Sequence, residues 1–155
     1  MHNTKDDIGF VLPKLEHNPL CDNIIKCVNK FVSNNPNNQY IVFNSYNSRY
    51  DMNRIPVLHL SECKFFHGNL ILFDLMSVVL TKSFPNIHQR FVYLQEIPWQ
   101  DKPQAYYESF ENVLEQSKLE FIAQNKHIYD IYSICWKDPV CVSEEFEYET
   151  IKKIL

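Results

Sequence analysis

Glycine is scarce in this sequence: of 155 residues, only Gly9 and Gly68 are glycine. Tight hairpins and phosphate cradles use positive-φ positions repeatedly, so the scarcity argues against glycine-rich phosphate loops, β-propellers and hairpin-rich sandwiches. The patterns GxGxxG, Walker A, GxSxG, HExxH and HxE…PCxxC are also missing. Dinucleotide binding, P-loop chemistry, serine hydrolysis, zinc proteolysis and zinc deamination therefore lack support, and no cofactor is expected. The five cysteines (Cys21, Cys27, Cys63, Cys135, Cys141) are odd in number and show no CxxC spacing. They read as small buried hydrophobes of a reducing compartment, without disulfides. No apolar run reaches the roughly 20 residues that span a bilayer, and Met1–Asp7 is polar where a signal peptide would be basic and then apolar. The expectation is a cytoplasmic protein without a membrane partner. A formal charge of -4 gives no global attraction to nucleic acid, so any such contact would be local. The one basic and aromatic mixture is Tyr46, Arg49, Tyr50 and Arg54, which reads as a solvated loop.

What is present is a core. Hydrophobic residues make up 45% of the chain and aromatics 14%, far from the composition of disordered chains. The bias toward Asn, Lys, Ile, Tyr and Phe is what AT-rich coding DNA gives, and suggests a phage or a small bacterial genome. Short apolar runs of strand length occur at Tyr40–Phe43, Val57–Leu60, Leu70–Phe73, Phe91–Leu94, Leu119–Ala123 and Val140–Val142. Ile8–Leu12 is either a further strand or a packed arm. Between them lie helical patterns. Asn18 caps a helix with Pro19 in its first turn and a stripe of Leu20, Ile24, Cys27, Val28 and Phe31. Asp74 caps a helix through Ser83, and others are expected over Gln104–Gln116, Lys126–Trp136 and Phe146–Leu155, the last with Phe146, Thr150, Ile151 and Ile154 inward. Strands alternating with helices of about ten residues imply a doubly wound, mostly parallel α/β sheet with helices on both faces, a Rossmann-like single domain over residues 1–155.

In such a sheet ligands bind at the carboxyl ends of the strands. Those exits carry Asn44, Ser45 and Tyr46; Ser61 and Glu62; Asp74; Gln95, Glu96 and Trp99; Asn125 and Lys126; and Ser143 and Glu144. Asp74, Asn125 and Ser143 read equally as helix caps or turn residues. Glu96 is the candidate catalytic residue: a carboxylate just past a buried strand, beside a bend set by Pro98 and the ring of Trp99, is placed to take the proton of a sugar or nucleoside hydroxyl. Asn44, Ser45, Tyr46, Trp99, Asn125 and Lys126 are candidate substrate contacts. His59, Cys63 and His67, with Glu62, have a spacing that invites a metal, but His59 falls in a strand and the three would not share a helical face, so no metal site is expected.

The segments Tyr40–Ser45, Pro56–Leu60 leading to Gly68–Asp74, Phe91–Trp99 and Phe121–Lys126 together resemble the acceptor-side, N-terminal Rossmann-like half of a GT-B glycosyltransferase, as phages often carry. The resemblance covers about Gln39 to Leu155. It implies an acceptor sugar or nucleoside held at the strand exits, and a partner for the donor half, since GT-B enzymes bind the nucleotide sugar chiefly in a second domain. The alternative is a non-catalytic phage or bacterial interaction domain, binding a partner protein or self-associating through exposed Phe65, Phe66, Tyr106, Tyr107 and Phe110.

Overall fold

The apolar run Ile8–Leu12 is a strand, and it lies at the centre of the sheet. The computed structural model describes residues 4–46, 55–100, 111–114 and 118–155. Its strands are β1 (Ile8–Leu12), β2 (Tyr40–Asn44), β3 (Val57–His59), β4 (Gly68–Leu72), β5 (Ile87–Leu94), β6 (Leu119–Ala123) and β7 (Cys141–Val142). They form one seven-stranded sheet in the order β3-β2-β1-β4-β5-β6-β7, with every neighbouring pair parallel. The order reverses between β1 and β4, as in a doubly wound, Rossmann-like fold. Each residue of β1 is buried, which is how a strand covered on both faces reads.

The helices are α1 (Pro19–Asn34), α2 (Leu75–Thr81), α3 (Lys126–Cys135) and α4 (Tyr148–Ile151), with a 3-10 segment at Leu60–Phe65. Helix α1 starts where expected: the Asn18 side chain accepts from the Cys21 N–H at 2.9 Å, and Pro19 occupies the first turn, where a missing N–H costs nothing. Its buried residues Cys21, Ile24, Cys27, Val28 and Phe31 join α4 and the even-numbered residues of β1 and β2 on one face of the sheet. The segment Leu60–Phe65, α2, α3 and Leu114 cover the other face. The two clusters divide each strand by its period of two, so Phe10 and Leu12 point to one and Val11 to the other.

Both glycines lie at the seam between β1 and β4. Gly9 pairs with Leu70, and a Cβ on it would come within 2.6 Å of Leu70 Cδ2 and 3.0 Å of Phe43 Cε2. At Gly68 φ is +152°, and a Cβ would come within 2.5 Å of the Asp7 carbonyl oxygen. Asp7 is buried and joins three strand entries: its Oδ1 accepts from the Gln39 N–H ahead of β2 at 2.7 Å, and its carbonyl accepts from the Asn69 N–H of β4 at 2.9 Å.

Two expected helices differ. The C-terminal one is a single turn, Tyr148–Ile151, rather than Phe146–Leu155. Phe146 precedes it at φ +57° and inserts its ring between Phe73 (4.9 Å) and Tyr93 (5.2 Å), so burial of one aromatic ring turns the backbone out of the helical register. Of the helix expected over Gln104–Gln116 most lies outside the described residues; residues 111–114 are helical.

Gly9→Ala should lower stability by about 1–3 kcal/mol through overpacking among side chains that can partly yield. Gly68→Ala should cost more, because backbone blocks its Cβ and its φ disfavours any side chain. Urea unfolding midpoints of the two variants check the order.

Candidate functional site

The exits of β4 and β5 form a cleft of about 390 Å³, floored by Phe73, Tyr93 and Tyr132 and rimmed by Asp74, Gln95 and Glu96. That volume is in the range of small-ligand sites, about 300–1,000 Å³. Local chemistry sets each wall. β4 ends at Asp74, which caps α2: Oδ1 accepts from the Ser77 N–H at 2.8 Å and Oδ2 from the Ser77 hydroxyl at 2.5 Å. β5 leaves through a turn closed by the Gln100 N–H on the Ile97 carbonyl at 3.0 Å, with Pro98 at its second position, where its fixed φ suits the bend. Glu96 stands exposed just before this turn, and its carboxylate makes no hydrogen bond or ion pair with the described residues. Asp74 is committed to its helix, so Glu96 is the carboxylate open to a ligand.

The floor is aromatic and its hydroxyls are held in place. The Tyr93 hydroxyl donates to the Ser143 carbonyl at 2.7 Å, tying β5 to the exit of β7. The Tyr132 hydroxyl donates to the Glu96 carbonyl at 3.4 Å, so α3 contacts the backbone that carries the candidate acid. Burial raises both phenols above their ordinary value, and the Glu96 carboxylate adds to the effect at Tyr132. Both phenols therefore keep their protons and donate them to main-chain carbonyls.

Among the sequence-predicted residues, Glu96 lines this cleft, and Asn44, Ser45, Tyr46, Trp99, Asn125 and Lys126 lie outside it. Asn44, Ser45 and Tyr46 follow β2, which β1 separates from β4. Asn44 is 2% exposed; its Oδ1 accepts from the Tyr46 N–H at 2.7 Å, while its Nδ2 is buried without a partner. Tyr46 is exposed, and Arg49, Tyr50 and Arg54 lie outside the described residues. Trp99 folds back onto α3, 5.2 Å from Tyr132 and 4.6 Å from Trp136, and so braces the floor from behind. Asn125 caps α3 through the Ile128 N–H at 3.0 Å, and Lys126 pairs with Asp130 at 2.5 Å on the outer surface of that helix.

Tyr93, Phe73 and Tyr132 are the lining residues that sequence reasoning missed. Their apolar periodicity marks them as core, and nothing in that pattern distinguishes a core ring from one whose edge also floors a cleft. His59, Cys63 and His67 form no metal site: His59 is exposed, Cys63 is fully buried, and no ligand cluster occurs among the described residues. Phe65 is 66% exposed, as expected of interaction material, but Phe66 is buried against Phe43 at 5.6 Å; Tyr106, Tyr107 and Phe110 lie outside the described residues. The cysteines are free, and burial pushes the Cys27 and Cys63 thiols up to about 12 from 9.0.

Phenols and thiols with raised pKa values hold their protons more tightly in the folded chain than in the unfolded one. The stability they contribute is fully present below about pH 9 and is lost as pH rises toward 12. Melting temperature followed by circular dichroism should fall through that window. The phenolate absorbance of Tyr93 and Tyr132 should appear only as the chain unfolds.

Comparison with models of known protein families, with curated proteins and with solved structures finds no match, which leaves the chemistry of the cleft as the guide to function.

Proposed function

We propose that this protein binds a sugar or nucleoside acceptor at the carboxyl edge of its sheet, as the acceptor-side half of a GT-B-like glycosyl transfer system. The observation that carries the reading is the cleft between the ends of β4 and β5, whose largely apolar floor lies by the carboxylate of Glu96, which has no partner among the described residues, and the amide of Gln95. Such a site suits an amphipathic ring: its C–H face or base rests on the floor, and its hydroxyls meet the polar rim.

Glu96 accepts the hydrogen bond of the acceptor hydroxyl and, in transfer, its proton. The acceptor oxygen then bonds to the anomeric carbon as the bond to the nucleotide phosphate breaks, and the electron pair leaves with the nucleotide. The nucleotide sugar is held by a second Rossmann-like unit outside residues 1–155.

Ligand-observed NMR with a panel of monosaccharides, disaccharides and nucleosides should detect binding, and Glu96→Gln should weaken it by roughly 10- to 100-fold, the worth of a hydrogen bond to a charged group. Absence of binding across the panel at millimolar concentrations, or equal binding by Glu96→Gln, would refute the proposal.

A further inference from the structure

Helix α2 has its polarity reversed. Its buried residues are Ser77, Val78 and Thr81, whereas Met76, Val79 and Leu80 are 65%, 46% and 49% exposed. Most of the inner polar groups are bonded: Ser77 donates to Asp74, the Thr81 hydroxyl donates to the Ser77 carbonyl at 2.8 Å, and buried Arg90 donates from Nη2 to the Lys82 carbonyl at 3.0 Å, while its Nε finds no partner among the described residues. Val78, Leu75 and the Arg90–Lys82 hydrogen bond thus hold the helix to the sheet, and the other two bonds satisfy polar groups within it. The residues that would ordinarily dock it face outward, and their i, i+3, i+4 spacing places them on one stripe.

The charges around that stripe indicate what covers it. No residue of Leu75–Thr81 is charged, and the stripe is bracketed by Asp74 at the N-cap and Lys82 at the C-cap. We infer that α2 packs against α2 of a second copy of this chain, antiparallel about a two-fold axis. An axis at the level of Val78 sets Met76 against Leu80 of the partner subunit, and the same rotation sets Asp74 against Lys82 of the partner subunit, twice over. A two-fold interface is self-complementary in this way by construction. Antiparallel pairing also brings each helix N-terminus to the partner's C-terminus, where the dipoles attract. One short helix supplies less than the roughly 1,200 Å² of a standard interface, so the dimer is a weak, concentration-dependent one.

Sedimentation velocity of the whole chain, from micromolar to submillimolar concentration, tests this. The wild type should shift from monomer to dimer. Val79→Glu should weaken association by roughly tenfold or more, because it buries a charge at the axis. Lys82→Glu should weaken it several-fold by facing a carboxylate with Asp74, and added salt should relieve part of that loss. These side chains are exposed, so the variants keep their fold, which circular dichroism checks, and Glu96 is untouched, so acceptor binding stands or falls separately. A wild type that stays monomeric throughout, or a Val79→Glu protein that dimerises as well as wild type through some other face, would overturn the inference.

Discussion

The close approach of β1 to β4 is the constraint on which the rest of the sheet depends. β1 has parallel neighbours on both sides and is covered on both faces, so any atom added along it must displace core. Gly9 leaves the space into which Phe43, Phe66 and Leu70 converge, and Gly68 lets the entry of β4 pass against the Asp7 carbonyl. Asp7 then fixes the register of β1 against β2 and β4 through one side-chain and one main-chain acceptor. A chain with only two glycines uses both at this seam, where the order of the sheet reverses.

From that seam the packing passes outward through aromatic rings. On the α1 face, Phe31 meets Phe10, Tyr40 and Tyr148, and Phe73, Tyr93 and Phe146 form a second group. On the other face, Tyr132 is enclosed by Phe121, Trp99 and Trp136. Most of these contacts are edge-on, and such contacts each add to what buried area alone provides. Three of these rings, Phe73, Tyr93 and Tyr132, form the floor of the cleft, so its base is set by the core. The rim, Asp74, Gln95 and Glu96, belongs to the connections after β4 and β5.

The two faces of the sheet are finished differently. Helix α1 docks through a full apolar stripe and carries its polar residues outward, as an amphipathic surface helix does. Helix α2 touches the core through Val78 and Leu75, is tied to β5 by the Arg90–Lys82 hydrogen bond, and leaves Met76, Val79 and Leu80 to solvent.

Much of the fold was legible in the chain. Apolar runs of strand length, the caps Asn18, Asp74 and Asn125, and the stripe of α1 all follow from local rules: period, β-branching, and side-chain acceptors for orphan N–H groups. The exit of β5 at Glu96 was legible for the same reason. The centrality of Ile8–Leu12 was not, because a short apolar run reads alike as an arm or as a buried strand until its neighbours are known. Trp99 read as a wall of the site but packs behind it, since the turn at Pro98 decides which way the ring faces. Asn44 and Glu96 both sit at strand exits, yet strand order separates them, and Asn125, at the neighbouring exit of β6, is committed to capping α3. Sequence alone determined most of the strands, where α1, α2 and α3 begin and that a doubly wound sheet results, since these depend on contacts close along the chain. Tertiary structure alone decided which exits share a cleft, why Gly9 and Gly68 are glycine, and which side of α2 faces out, because each depends on residues far apart in sequence.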